Sequence, residues 1–345
     1  MAIYQHTADF TLESGKVIPG YHLAYHTWGK LNAQKSNAVW VFHALTANAE
    51  ATDWWSGLVG EGKLFDPAQY FIVCVNMPGS HYGSISPLDR EDWYANFPWF
   101  TVQDMVRAYQ PLRKALGIEK IHIGIGGSMG GQQLLEWAVA EPALFEYIIP
   151  IATNAQHSSW GIAFNESQRW AIENDPTWKQ TNPQAGIEGM KLARSVALIS
   201  YRNYTTYTTF QQASNDDPFT QQRDAASYQR YQGEKLAQRF NAYSYYFLSK
   251  GMDSQHVGRN RGGVRKALSG VQAKALCVGI SSDILFPPSE QRILARWIPD
   301  ATYEEIHSVY GHDGFLLEYE QLEIIIRNYL KKTFIPNDLE TEIFN

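Results

Sequence analysis

Along the chain, short apolar runs alternate with longer stretches in which apolar residues recur every three or four positions. The runs Ala38–Phe42, Tyr70–Val75, Ile121–Ile125, Tyr147–Ile151 and Ala275–Ile280 are rich in β-branched residues and give way to turn residues and then a helical pattern. Near-continuous apolar runs of this length predict strands of a parallel sheet covered on both faces. Val102 to Leu116 puts Val102, Met105, Val106, Tyr109, Leu112 and Leu116 at helical spacing and stops at Gly117, a residue suited to a left-handed cap. Ser289 to Trp297 and Tyr319 to Leu330 read as helices in the same way. Strand–helix alternation with short connections predicts a doubly wound α/β sheet.

The pattern breaks at about Asn154 and resumes near Ala273. Between these points no strand is legible, and Trp, Tyr and Phe crowd helical segments such as Gly189 to Ser200 and Tyr228 to Arg239. An insertion that leaves and re-enters a sheet at strand ends predicts a helical cap over a site, because ligands bind at the carboxyl ends of such strands. The expected division is a core of 1–153 and 271–345 with a cap of 154–270.

Composition narrows the function. A chain of 345 residues fits one large α/β domain with an insertion. Hydrophobic residues at 44% and charged residues at 19% mark a folded protein, and a net charge of −6 gives no basic field for nucleic acid. Cys74 and Cys277 both fall inside apolar runs, so buried thiols are expected rather than a disulfide. The first residues carry no signal-peptide pattern, and no apolar stretch is long enough to span a membrane. A cytoplasmic enzyme without nucleic-acid or membrane partners is the expectation.

Gly126-Gly127-Ser128-Met129-Gly130 fits G-x-S-x-G, directly after the strand ending at Ile125 and directly before the helical run Gln132 to Val139. A sharp strand-to-helix turn holds such a serine in a strained backbone conformation, so its neighbours must be small. A hydroxyl is a weak nucleophile, so a base and an orienting carboxylate should follow in chain order. Asp283 lies just past the strand ending at Ile280, although an aspartate in a loop is more commonly a turn residue. His312 is late, loop-borne and flanked by Gly311 and Gly314, unlike His43, His122 or His307. The order Ser128, Asp283, His312 is that of the α/β-hydrolase fold. Leu45, in the loop after an early strand, and Met129 are the expected oxyanion-hole donors through their backbone N–H groups. His43 either shapes that loop or is a packed polar residue.

These residues, taken together, resemble the homoserine O-acetyltransferases, acyltransferases of methionine biosynthesis built on the α/β-hydrolase fold. The likeness spans nearly the whole chain. It is carried by Phe10–Gly15, Ala24–Asn32, His43–Thr46, Trp54–Gly60, Gly126–Gln133, Tyr231–Lys235, Met252–Asp253, Val257–Arg259 and Gly311–Glu318. Ala47 and the stretch Asn76–Ser84 depart from the family's usual glycines. The resemblance implies a homodimer with no bound cofactor that uses acetyl-CoA as co-substrate and L-homoserine as acceptor through an acyl-serine. It also implies that Arg202 binds the acceptor's carboxylate and Asp313 its ammonium. On spacing alone, Arg202 would be read as a solvated or ion-paired helix arginine.

Two other readings stand beside this one. A serine esterase or thioesterase would use water as acceptor, and within the family a succinyl donor or a serine acceptor is open. A catalytically dead binding module should have lost a triad member, and none is lost here. No C-x-x-C pair occurs, and no metal site is expected.

Overall fold

The computed structural model describes residues 1–213, 219 and 224–334; the stretches 214–218, 220–223 and 335–345, which the sequence assigns to cap and core, lie outside the described residues. The main sheet has eight strands: β1 (Ala2–His6), β2 (Tyr21–Trp28), β3 (Ala38–Phe42), β4 (Phe71–Val75), β5 (Ile121–Gly127), β6 (Phe145–Ile151), β7 (Lys274–Ile280) and β8 (Ala301–Ile306). Their order is β1-β2-β4-β3-β5-β6-β7-β8. The sheet is parallel from β4 to β8, while β1 pairs β2 and β2 pairs β4 antiparallel. The two N-terminal strands escape a search for apolar runs, because β1 is largely exposed and β2 mixes buried residues with half-buried His22, Tyr25 and His26.

Successive side chains of a strand point to opposite faces, and here both faces are buried. Val39, Val41, Ile72, Cys74, Ile123, Ile125 and Ile149 pack on one side with Leu322 and Ile326 of the helix Tyr319–Phe334. Trp40, Phe42, Val73, Val75 and Ile148 pack on the other with Leu112, Leu134, Leu135 and Trp137. Each fully buried side chain of this kind contributes about 1.5–3 kcal/mol, so the sheet is a rigid platform for whatever its strand ends carry. Both cysteines are free and buried in these layers, and burial pushes the Cys277 thiol up to about 12.

Between β6 and β7 the described residues form six helices: Ser159–Glu173, Ile187–Tyr201, Tyr204–Phe210, Asp224–Ala237, Ala242–Asp253 and Val264–Leu268. Ion pairs tie them down. Arg169 meets Asp253 at 2.7 Å within this helical layer, and Arg261 reaches Glu136 at 2.6 Å on the helix Met129–Ala140. Among the described residues no helix is long and apolar enough to cross a membrane.

Candidate active site

Ser128 stands between β5 and the helix Met129–Ala140 with φ 57° and ψ −128°. The turn needs glycine at 127 and at 130. A Cβ on Gly130 would lie 2.2 Å from the Phe42 carbonyl oxygen, and one on Gly127 would lie 2.5 Å from the Phe315 ring. Thr153 Oγ1 donates to the Ser128 carbonyl at 2.7 Å, which fixes the elbow from the end of β6.

Asp283 and His312 come to this serine from the ends of β7 and β8. Ser128 Oγ is 2.8 Å from His312 Nε2, and His312 Nδ1 is 2.7 Å from Asp283 Oδ2. The other carboxylate oxygen accepts the N–H groups of Leu285 and Phe286 at 2.8 and 2.9 Å. With Oδ1 held by these two N–H donors, Oδ2 is the oxygen turned to the imidazole; accepting Nδ1–H there leaves Nε2 to accept the serine proton. All three residues are buried. Phe286 stacks on the imidazole with ring centres 5.1 Å apart, and Phe315 and Tyr201 close two further sides at 5.4 and 5.8 Å.

The loop after β3 carries Leu45 next to the elbow. Among the described residues no acceptor takes the N–H of Leu45 or of Met129, so both are free to meet an oxyanion. His43 is fully buried and shapes this loop. Its Nδ1–H donates to Ala44 O at 2.9 Å, and its Nε2 accepts Met77 N–H at 3.2 Å. Behind it, Gln133 Nε2 reaches the His43 carbonyl at 3.4 Å while its Oε1 accepts the Tyr109 hydroxyl at 2.7 Å.

Burial holds the His43 imidazole neutral, down at about 4, and does the same for His157 with help from the Arg169 guanidinium. In the unfolded chain both titrate near 6.5, so between pH 6.5 and 4 the unfolded state binds more protons. Their stabilisation is complete above 6.5 and lost as pH falls towards 4. Lowering the pH from 7 to 5 is expected to remove about 2 kcal/mol per histidine. Thermal denaturation across this range checks it: His157→Asn should flatten the slope, and a midpoint independent of pH would refute the account.

A cavity of about 360 Å³ opens above Ser128 and His312, between the strand ends and the helical layer. Leu45, Trp54, Tyr82, Asp313 and Phe315 line it from the core, and Arg194, Tyr201, Lys235 and Arg239 line it from the helices. Arg202, which the family resemblance assigned to the acceptor's carboxylate and spacing alone would make a solvated or ion-paired helix arginine, is not on this wall. Arg194 and Tyr201 are seven positions apart on one helix and so share a face, with the Arg194 guanidinium 5.3 Å from the Tyr201 ring centre. Arg202 is one position further round, at the helix C-cap, and its Nη1 pairs with Asp313 Oδ2 at 2.5 Å. The sequence reading missed Arg194, Tyr201, Lys235 and Arg239. For Arg194, its place seven positions before Tyr201 on the same helix was the available signal.

This fold and site define a protein of the α/β-hydrolase class. The family model described as the alpha/beta hydrolase fold matches residues 37–319. Over 327 residues the chain is 48% identical to a homoserine O-acetyltransferase of Cyclobacterium marinum, covering 92% of each. The chain belongs to the homoserine O-acetyltransferase family and is an acyltransferase. Its fold is also that of a homoserine O-acetyltransferase from Bacillus anthracis, at 23% identity, 95% and 96% coverage and a TM-score of 0.87. An acetylester hydrolase from Corynebacterium glutamicum shares the fold at 24% identity, 96% and 95% coverage and a TM-score of 0.84.

Proposed function

We propose that the protein transfers the acetyl group of acetyl-CoA to the hydroxyl of L-homoserine through an acyl-Ser128 intermediate. The observation that carries this reading is the hydrogen-bonded line Ser128–His312–Asp283 beneath a cavity walled by both Arg194 and Asp313. Ser128 Oγ attacks the thioester carbonyl while its proton passes to His312 Nε2. The oxyanion is held by the N–H groups of Leu45 and Met129. The C–S bond then breaks, and His312 returns the proton to the departing thiolate. In the second half the homoserine hydroxyl gives its proton to His312 and attacks the acyl-serine, and collapse releases Ser128 with its proton restored.

An amino-acid acceptor brings a carboxylate and an ammonium. Asp313, beside the histidine, suits the ammonium. Arg194, on the cavity wall, suits the carboxylate, because its planar fork can grip both oxygens. Arg202 then holds Asp313 in place through their ion pair. The residues 154–270 act as the cap that excludes water, so that transfer outruns hydrolysis. The reading extends to a cytoplasmic homodimer. Exposed Trp170, Leu192 and Ile199 on the cap support self-association, and two buried free thiols suit a reducing compartment.

Release of CoA thiol from acetyl-CoA should accelerate on adding L-homoserine; a rate independent of any acceptor would instead make the protein a thioesterase. Arg194→Ala is expected to raise the KM for L-homoserine at least about tenfold and to leave single-turnover acylation of Ser128 near the wild-type rate. Should Arg202→Ala raise that KM while Arg194→Ala does not, the carboxylate belongs to Arg202.

A further inference from the structure

The cavity wall holds more positive charge than an amino-acid acceptor needs. Arg194 stands next to Tyr201, whose ring borders His312, and takes the acceptor's carboxylate in the reading above. Lys235 and Arg239 remain. They lie four residues apart at the end of the helix Asp224–Ala237 and just beyond it, and both are exposed at the cavity mouth.

Arg239 is pinned to the core. Its Nη1 donates to the Thr46 carbonyl at 2.6 Å and to the Tyr82 hydroxyl at 2.7 Å, one residue past the oxyanion donor Leu45. Its Nε and Nη2 make no hydrogen bond among the described residues, so a fixed guanidinium presents spare donors to the mouth. The Lys235 ammonium has no carboxylate within ion-pair distance among the described residues, whereas Glu234 next to it is paired with Lys191. On the core side the mouth carries Asp53, which steers an anion towards the cap side. Two neighbouring cations are thus left open in a chain whose net charge is −6.

We propose that Lys235 and Arg239 form the subsite for the phosphate groups of the acyl donor, an inference that rests on the donor being a CoA thioester. A cavity of about 360 Å³ is at the small end for ligand sites. It takes the acyl group and the arm that carries it, and the charged end of the donor stays at the mouth. Arg239 supplies the oriented contact and Lys235 the mobile point charge.

The test uses Ser128→Ala protein, in which the thioester survives, and measures binding of acetyl-CoA and of acetyl-pantetheine, which shares the thioester arm without the phosphates. Adding Lys235→Glu is expected to weaken acetyl-CoA about ten- to hundredfold and leave acetyl-pantetheine unchanged, with Lys235→Arg restoring binding. The salt dependence of acetyl-CoA binding should fall in parallel. Undiminished acetyl-CoA binding overturns the subsite while leaving the CoA-donor reading intact, and so does an equal loss of both ligands. If the Ser128→Ala protein binds no acetyl-CoA, while the Ser128-containing chain is acylated by p-nitrophenyl acetate, the donor reading fails and the subsite with it.

Discussion

Ser128→Ala is expected to lower kcat for acetyl transfer by about a millionfold, the scale seen when the serine of a coupled triad is removed. Among the described residues the hydroxyl is the group placed to attack: its oxygen lies 2.8 Å from the imidazole nitrogen that takes its proton, next to two free backbone N–H groups. Alanine keeps the turn and its packing, so the thermal midpoint should stay within a few degrees of the parent. Incubation with acetyl-CoA and intact-mass measurement gives a direct check. An acetyl adduct that persists on the Ser128→Ala chain would remove the nucleophile from this position.

Asp283→Asn is expected to cost about 10⁴-fold in kcat, by a route the geometry makes specific. The Asp283 Oδ1 atom is held by two backbone N–H donors, from Leu285 and Phe286. An asparagine must therefore leave its carbonyl oxygen there and turn its amide NH₂ towards His312. A donor facing Nδ1 forces the proton onto Nε2, the nitrogen that has to accept from Ser128. Substrate binding should change little, so the loss falls in kcat and not in KM. Single-turnover acylation measured at several pH values separates the two, and a loss confined to KM would contradict the tautomer argument.

How far the sequence was legible depended on whether a residue's role follows from the chain next to it. Ser128 sits where a strand, a tight turn and a helix meet, and all three leave local marks. Asp283 and His312 follow strands β7 and β8 and are bounded by proline or glycine, so their places at the carboxyl edge could be read without knowing any contact. Arg194 and Tyr201 could not be found that way. They face the cavity because of how the helix Ile187–Tyr201 is rotated against the core, which packing decides, and a shift of one position moves attention from Tyr201 to Arg202. The antiparallel strands Ala2–His6 and Tyr21–Trp28 were hidden for a different reason: the first is the sheet's edge and the second lies next to it, where polar and apolar positions mix. Lys235 was inside a family-like segment, but the mouth it faces forms only when Arg239 crosses to Thr46 and Tyr82.

The backbone at Ser128, with φ 57°, has a consequence for how this protein can evolve. A side chain held in that region costs on the order of 1–3 kcal/mol, a burden glycine would escape. Under selection for heat resistance alone, glycine at this position should spread and the enzyme should fall silent. The serine persists only while lineages are judged on turnover. Libraries screened for stability without an activity filter would thus be drawn towards inactive chains at this one codon before most others.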